Sequence, residues 1–220
     1  MRKFAELYES IDATTSTNDK VDAMAEYFQS ATSADSAWAL YYLTGRRLKR
    51  FISSRSLRDW TLELTQVREW LYDECYSSVG DTAEVCSLLL DSYDLDQVDR
   101  SNTPEYNLSL DEWMTNRIKP LAKADEQTQK ETVVDWWTKL DRHGIFVLNK
   151  LLTGSFRVGV SQSLVARALA KITKHEVAEI SHRLMGNWEP TPEWFEQLTS
   201  AEAATHSLST PYPFYLASPI

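Results

Sequence analysis

The stretch LTGSFRVGVSQSLVARALA, residues 152–170, places an arginine between two glycines and then a helix-like apolar pattern. A glycine turn feeding a helix presents free backbone N–H groups at the positive end of the helix dipole, a place suited to an anion. The stretch has an echo earlier in the chain. Leu152-Thr153-Gly154 matches Leu43-Thr44-Gly45, and arginine follows both, as Arg157 in one and as Arg46 and Arg47 in the other. Val158-Gly159-Val160-Ser161 lines up with Val79-Gly80-Asp81-Thr82, and the apolar positions of the helices that follow stay in step. The chain therefore reads as two copies of one unit: a helix, an LTG turn, and a V-G-x-[TS] turn that opens a second helix.

Phosphate binding is the chemistry these residues suit. Glycines let backbone N–H groups approach, arginines supply charge, and the hydroxyls of Thr82 and Ser161 can cap or donate. The candidate contacts are Gly45, Arg46, Arg47, Lys49 and Arg50 in the first copy, joined by Gly80, Asp81 and Thr82. In the second copy they are Gly154, Arg157, Gly159, Ser161 and Gln162. Asp81 is the weakest of them, because a carboxylate repels phosphate and is equally suited to capping its own helix. For any single turn a plain structural reading competes, with LTG as a helix C-cap whose glycine is left-handed.

Charge is unevenly spread. The net charge is -9, which argues weakly against a polyanionic partner, yet binding depends on where charges sit. Residues 46–58, RRLKRFISSRSLR, carry six basic residues and no acidic one. Two related turns beside that run suit a pair of phosphates held a fixed distance apart, as duplex nucleic acid offers.

The elements that must position these residues are helices. Apolar residues recur at spacings of three and four between capping residues, with no surviving strand alternation, so the fold is predicted all-α, with roughly ten helices. Predicted helices cover 18–31, 33–43, 56 to about 75, 81–90, 125–140, 143–152 and 161–171. Capping boxes are expected at Asp81/Glu84, Ser109/Glu112 and Thr173/Glu176, and Thr191-Pro192 reads as a helix start. Residues 91–107 are read as an exposed acidic connection; DSYDLDQVD lacks the glycine and spacing of a calcium loop. The eight tryptophans, Trp38, Trp60, Trp70, Trp136 and Trp137 among them, are expected in the core, with one or two as surface anchors. The cysteines, Cys75 and Cys86, are read as reduced, with a cytoplasmic location and no membrane segment. Four scattered histidines, no P-loop and no kinase-type loop leave no nucleophile, metal or cofactor site to name.

LTGSFRVGVSQSLVARALA and HRLMGNW (182–188) resemble the N-terminal DNA-binding domain of bacterial-type ATP-dependent DNA ligases, as do YYLTGRRLKR and SSVGDTAEV. PYPFYLASPI resembles the linker into the catalytic core of that family. The resemblance implies an all-helical, internally pseudo-symmetric domain at 1–205 that grips the minor groove of nicked duplex through loops and helix N-termini. It implies that 206–220 leads toward an adenylation domain, followed by an OB-fold domain. The K-x-D-G lysine of that family is absent: Lys123-Ala124-Asp125-Glu126 has glutamate where glycine is required. The expectation is thus a non-catalytic, monomeric arm without a cofactor of its own, ATP and Mg belonging to the parent enzyme. The alternative is an all-helical protein-interaction module without DNA affinity.

Overall fold

Short polar side chains set the starts of most helices. The structure is a computed structural model, and it describes residues 1–93, 103–154, 156, 159–173 and 175–200. Helix α1 spans Arg2–Asp12, α2 Thr17–Ser30 and α3 Ser33–Leu43. Ser16 and Thr32 cap the latter two by accepting the N–H groups of Asp19 and Asp35. Helices α4 (Ser54–Thr65), α5 (Glu69–Val79) and α6 (Thr82–Ser92) follow. After the short α7 (Pro104–Asn107) comes α8 (Leu110–Glu112), which passes through a π-helical turn at Trp113–Ile118 into α9 (Lys119–Leu121). The chain continues through α10 (Glu126–Lys139), α11 (Arg142–Thr153), α12 (Gln162–Thr173), α13 (Val177–Arg183) and α14 (Pro192–Thr199). No strand occurs among the described residues, and no helix there is long and apolar enough to cross a membrane.

Threonine ends many of these helices. The hydroxyls of Thr44, Thr65, Thr153, Thr173 and Thr199 each donate to the carbonyl four residues back, at 2.8 to 2.9 Å. A hydroxyl bonded this way competes with the backbone ladder. The oxygens of Thr65 and Thr173 also accept the N–H two residues on, from Val67 and His175, both at 3.4 Å. Two expectations fall to this device. The helix predicted from 56 to about 75 is broken into α4 and α5, with Gln66 left-handed at φ 56°. Thr173 closes α12 and does not open α13, whose N-cap, Glu176, makes no side-chain cap bond. The Ser109/Glu112 box forms in both directions. The connection predicted at 91–107 is helical at Pro104–Asn107, and its middle, 94–102, lies outside the described residues, as does the segment 206–220.

The core is aromatic. Phe156 sits among Phe4, Tyr42 and Tyr8, with ring centroids 5.2, 5.3 and 5.4 Å away. It thereby plugs the loop between α11 and α12 into the layer formed by α1 and α3. Trp38, Trp60, Trp136 and Trp137 are buried as expected, but Trp70 is 60% exposed, because α5 buries only Tyr72. Helix α12 packs on α2, α11 on α6, and α14 on α3. In terms of the sequence repeat, the helix before the second LTG turn thus lies against the helix that follows the first V-G-x-[TS] turn.

Replacing Phe156 by Ala is expected to cost about 3–5 kcal/mol, the usual range for deleting a buried phenyl ring. Urea unfolding measures this. A loss below about 1 kcal/mol would mean that the loop is not held by its ring.

Candidate functional site

Both LTG turns are helix ends with a left-handed glycine, Gly45 at φ 79° and Gly154 at φ 65°. In each, the glycine N–H donates to the carbonyl three residues back, Tyr42 at 2.9 Å and Leu151 at 3.3 Å. At the first turn Arg46 N–H also reaches the Tyr41 carbonyl at 3.1 Å, which completes a Schellman motif. The capping reading of LTG is therefore right in both copies. It is also what sets the course of the chain beyond, because residues 46–50 leave α3 with no helical structure.

That segment is tied to the second turn. Phe51 N–H and Ile52 N–H both donate to the Leu152 carbonyl, at 3.0 and 3.1 Å. Gly154 lies so close that a Cβ there would stand 3.1 Å from the Leu48 carbonyl oxygen and 3.9 Å from Arg50 Cα. The basic run of one copy is thus laid across the C-terminal end of α11 in the other.

The cations of the run are then sorted by their neighbours. Arg46 is committed within the protein: its guanidinium donates to the Gly186 carbonyl and lies 4.4 Å from the centroid of Trp188. Trp188 in turn stacks on Trp194 at 3.8 Å and meets Tyr41 edge-on. Arg58 lies over the Tyr72 ring and pairs with Asp73 at 3.3 Å, and Arg55 faces Asp59. Arg47, Lys49 and Arg50 are exposed, and none has an ion pair among the described residues.

The two pre-helix turns are built differently. Gly80 is left-handed at φ 77°, and Asp81 caps α6 by accepting Glu84 N–H at 3.1 Å. Thr82 lies inside the first turn, so the hydroxyl expected to cap there does not. The other carboxylate oxygen of Asp81 takes the ammonium of Lys150, a nearly buried residue of α11. The place an anion would occupy at the α6 N-terminus is filled by this side chain. Gly159 is left-handed at φ 62°, and its carbonyl accepts from Lys20 of α2 at 3.2 Å. Ser161 receives Leu164 N–H at 3.4 Å, Gln162 is exposed, and the first turn of α12 holds no acidic residue. Among the described residues, the α12 N-terminus is accordingly the one of the two free of a carboxylate. Arg157 lies outside the described residues.

The spacing did not indicate Lys150, which joins the two copies, or Lys20. Lys150 had a signal: it is the one basic residue in the apolar run IFVLNKLLT, and a lysine so placed needs a buried partner. It borders a cleft of about 670 Å³ between α1, α6 and α11, together with Arg47, Arg142, Tyr8, Asp12 and Phe146. Burial pushes the Tyr8 hydroxyl up to about 12, so it stays neutral there. Among the described residues no cluster of three or more His, Cys, Asp or Glu is placed to hold a metal ion.

Residues 1–170 match the family described as DNA ligase N terminus. The match covers most of the chain, and the chain belongs to that family, the N-terminal domain of ATP-dependent DNA ligases. No curated protein matches it.

The two LTG glycines should respond differently to alanine. Both carry the left-handed penalty, about 1–2 kcal/mol. Only Gly154→Ala adds contact with the Leu48 carbonyl, so it should destabilise more than Gly45→Ala and loosen residues 48–52. Thermal unfolding of the two variants and amide exchange at Phe51 and Ile52 check this; equal effects would mean that the two segments do not depend on one another.

Proposed function

We propose that this ligase domain grips nicked double-stranded DNA by its sugar–phosphate backbone on the minor-groove side, as the non-catalytic arm of an ATP-dependent ligase. The observation that carries the reading is the segment at Arg47, Lys49 and Arg50. Three exposed cations without ion pairs among the described residues project from a backbone fixed at both ends, by the Gly45 cap and by the Leu152 carbonyl. Fixed cations lose less freedom on meeting a phosphate than those of a mobile tail. The left-handed turn at Gly159 and the α12 N-terminus, with Ser161 and Gln162, supply a second contact of the backbone N–H type.

In this reading Arg46 acts through Trp188, holding the start of the segment against residues 186–194. Asp81 and Lys150 fix α6 against α11 and so set the spacing between the turns. Arg157 remains a proposed contact on sequence grounds, whereas Gly80 and Thr82 flank an α6 N-terminus that Asp81 already fills and in this reading only shape the start of that helix. Such contacts position a duplex and do not read its bases, which suits an enzyme that must seal breaks in any sequence. The chemistry of sealing, with ATP and Mg as its cofactors, then falls to adenylation and OB-fold domains, since the K-x-D-G lysine is absent here. Support for nick sealing in repair and replication, by a monomeric arm, follows from the same reading.

Binding to labelled nicked duplex should weaken steeply with salt, with a log–log slope on the order of -3 to -4 for about four phosphates neutralised by Arg47, Lys49, Arg50 and Arg157. Joint replacement of Arg47, Lys49 and Arg50 by alanine should weaken binding to all sequences alike and make the slope shallower by about 3. Fluorescence anisotropy across a salt series measures both. A flat salt response, or an unchanged slope in the triple variant, would refute the assignment.

A further inference from the structure

Past Arg68, the N-cap of α5, the charge reverses. From Glu69 to Tyr93 there are six carboxylates and no Lys, Arg or His. This stretch is the α5–α6 pair, and it also carries four of the six large apolar side chains exposed among the described residues. Trp70 is 60% exposed, Tyr93 47%, Tyr76 45% and Leu71 39%. A single exposed apolar residue is ordinary, but a group on one helix pair marks a contact surface. Helix α5 has little other reason to display them, since it buries only Tyr72 and rests on Cys75 and Val79.

Helical geometry puts Trp70, Glu74 and Leu71 within about 100° of one another on the outer face of α5. Asp73 and Glu69 lie beside them and share Arg58, at 3.3 and 3.9 Å, whereas Glu74 is exposed and has no ion pair among the described residues. Trp70 and Gly80 stand at opposite ends of the helix, about 15 Å apart. The face is therefore distinct from the turns assigned to phosphate.

We infer that the outer face of α5, built on Trp70, Leu71 and Glu74, docks a basic amphipathic segment of a partner protein. An apolar side chain of that segment packs on the indole and Leu71, and its Lys or Arg residues meet Glu74. The carboxylates of α5, Glu69, Asp73 and Glu74, select this occupant over an acidic segment or a nucleic acid, which they repel. Tryptophan supplies the anchor, because exposed ion pairs contribute little by themselves.

The test uses the full chain and a fluorescein-labelled synthetic helix of Lys and Leu at amphipathic spacing, with a Glu-for-Lys peptide as control. Anisotropy should show binding of the Lys peptide with a dissociation constant on the order of 10 µM, and none of the Glu peptide. Trp70→Ala should weaken it about tenfold or more and Glu74→Gln about two- to fivefold, while binding to nicked duplex stays unchanged. Glu126→Gln with Glu131→Gln, on the exposed side of α10, should leave peptide binding as it was. Circular dichroism confirms that the variants are folded, as expected for exposed positions. Equal binding by Trp70→Ala, or equal loss in the α10 variant, would reduce the effect to bulk negative charge and overturn the assignment. So would sedimentation showing wild-type self-association that Trp70→Ala abolishes, which would make a second copy the occupant.

Discussion

One carbonyl oxygen organises the site. Leu152, in the last turn of α11, has no helical partner for its C=O, and the N–H groups of Phe51 and Ile52 supply two. Helix ends always leave such acceptors, and here the acceptor is satisfied by a segment about a hundred residues away in sequence. Everything useful about residues 46–50 depends on that pairing. It holds the segment across the end of α11, it requires glycine at position 154, and it leaves Arg47, Lys49 and Arg50 facing solvent on a fixed backbone.

A chain of net charge -9 can present a cationic surface because its charges are segregated and the protein's own contacts decide which remain free. Arg58 serves α5 and Arg46 serves Trp188. Lys150 is held by Asp81, and that pair ties α6 to α11. The same sorting separates the two pre-helix turns. Similar in sequence, they differ in that α6 starts under a carboxylate and α12 under a hydroxyl. A repeat in sequence is thus not a repeat in electrostatics.

The helical fold was legible because its signals are local: apolar spacing, and caps such as Ser109 with Glu112. The break at Gln66 and the close at Thr173 were not, because a threonine hydroxyl can turn back on its own helix or cap the next one, and spacing does not distinguish these. The site was half legible. Glycine and arginine marked the turns, and Asp81 could be read as a cap. The commitment of Arg46 to Trp188 and the pairing of residues 48–52 with α11 are long-range contacts, and no window of sequence contains them. Which tryptophan would lie on the surface was not legible for a related reason. Tryptophan at helical spacing normally faces a core, but the break at Gln66 starts a separate helix, α5, and Trp70 lies on its outer face.

The most direct test of the central claim is amide hydrogen exchange on the whole chain with and without nicked duplex. The account predicts added protection concentrated at residues 46–52 and 159–164, with α5 and α10 unchanged. Protection confined to other helices, or none at a duplex concentration that saturates binding, would contradict it.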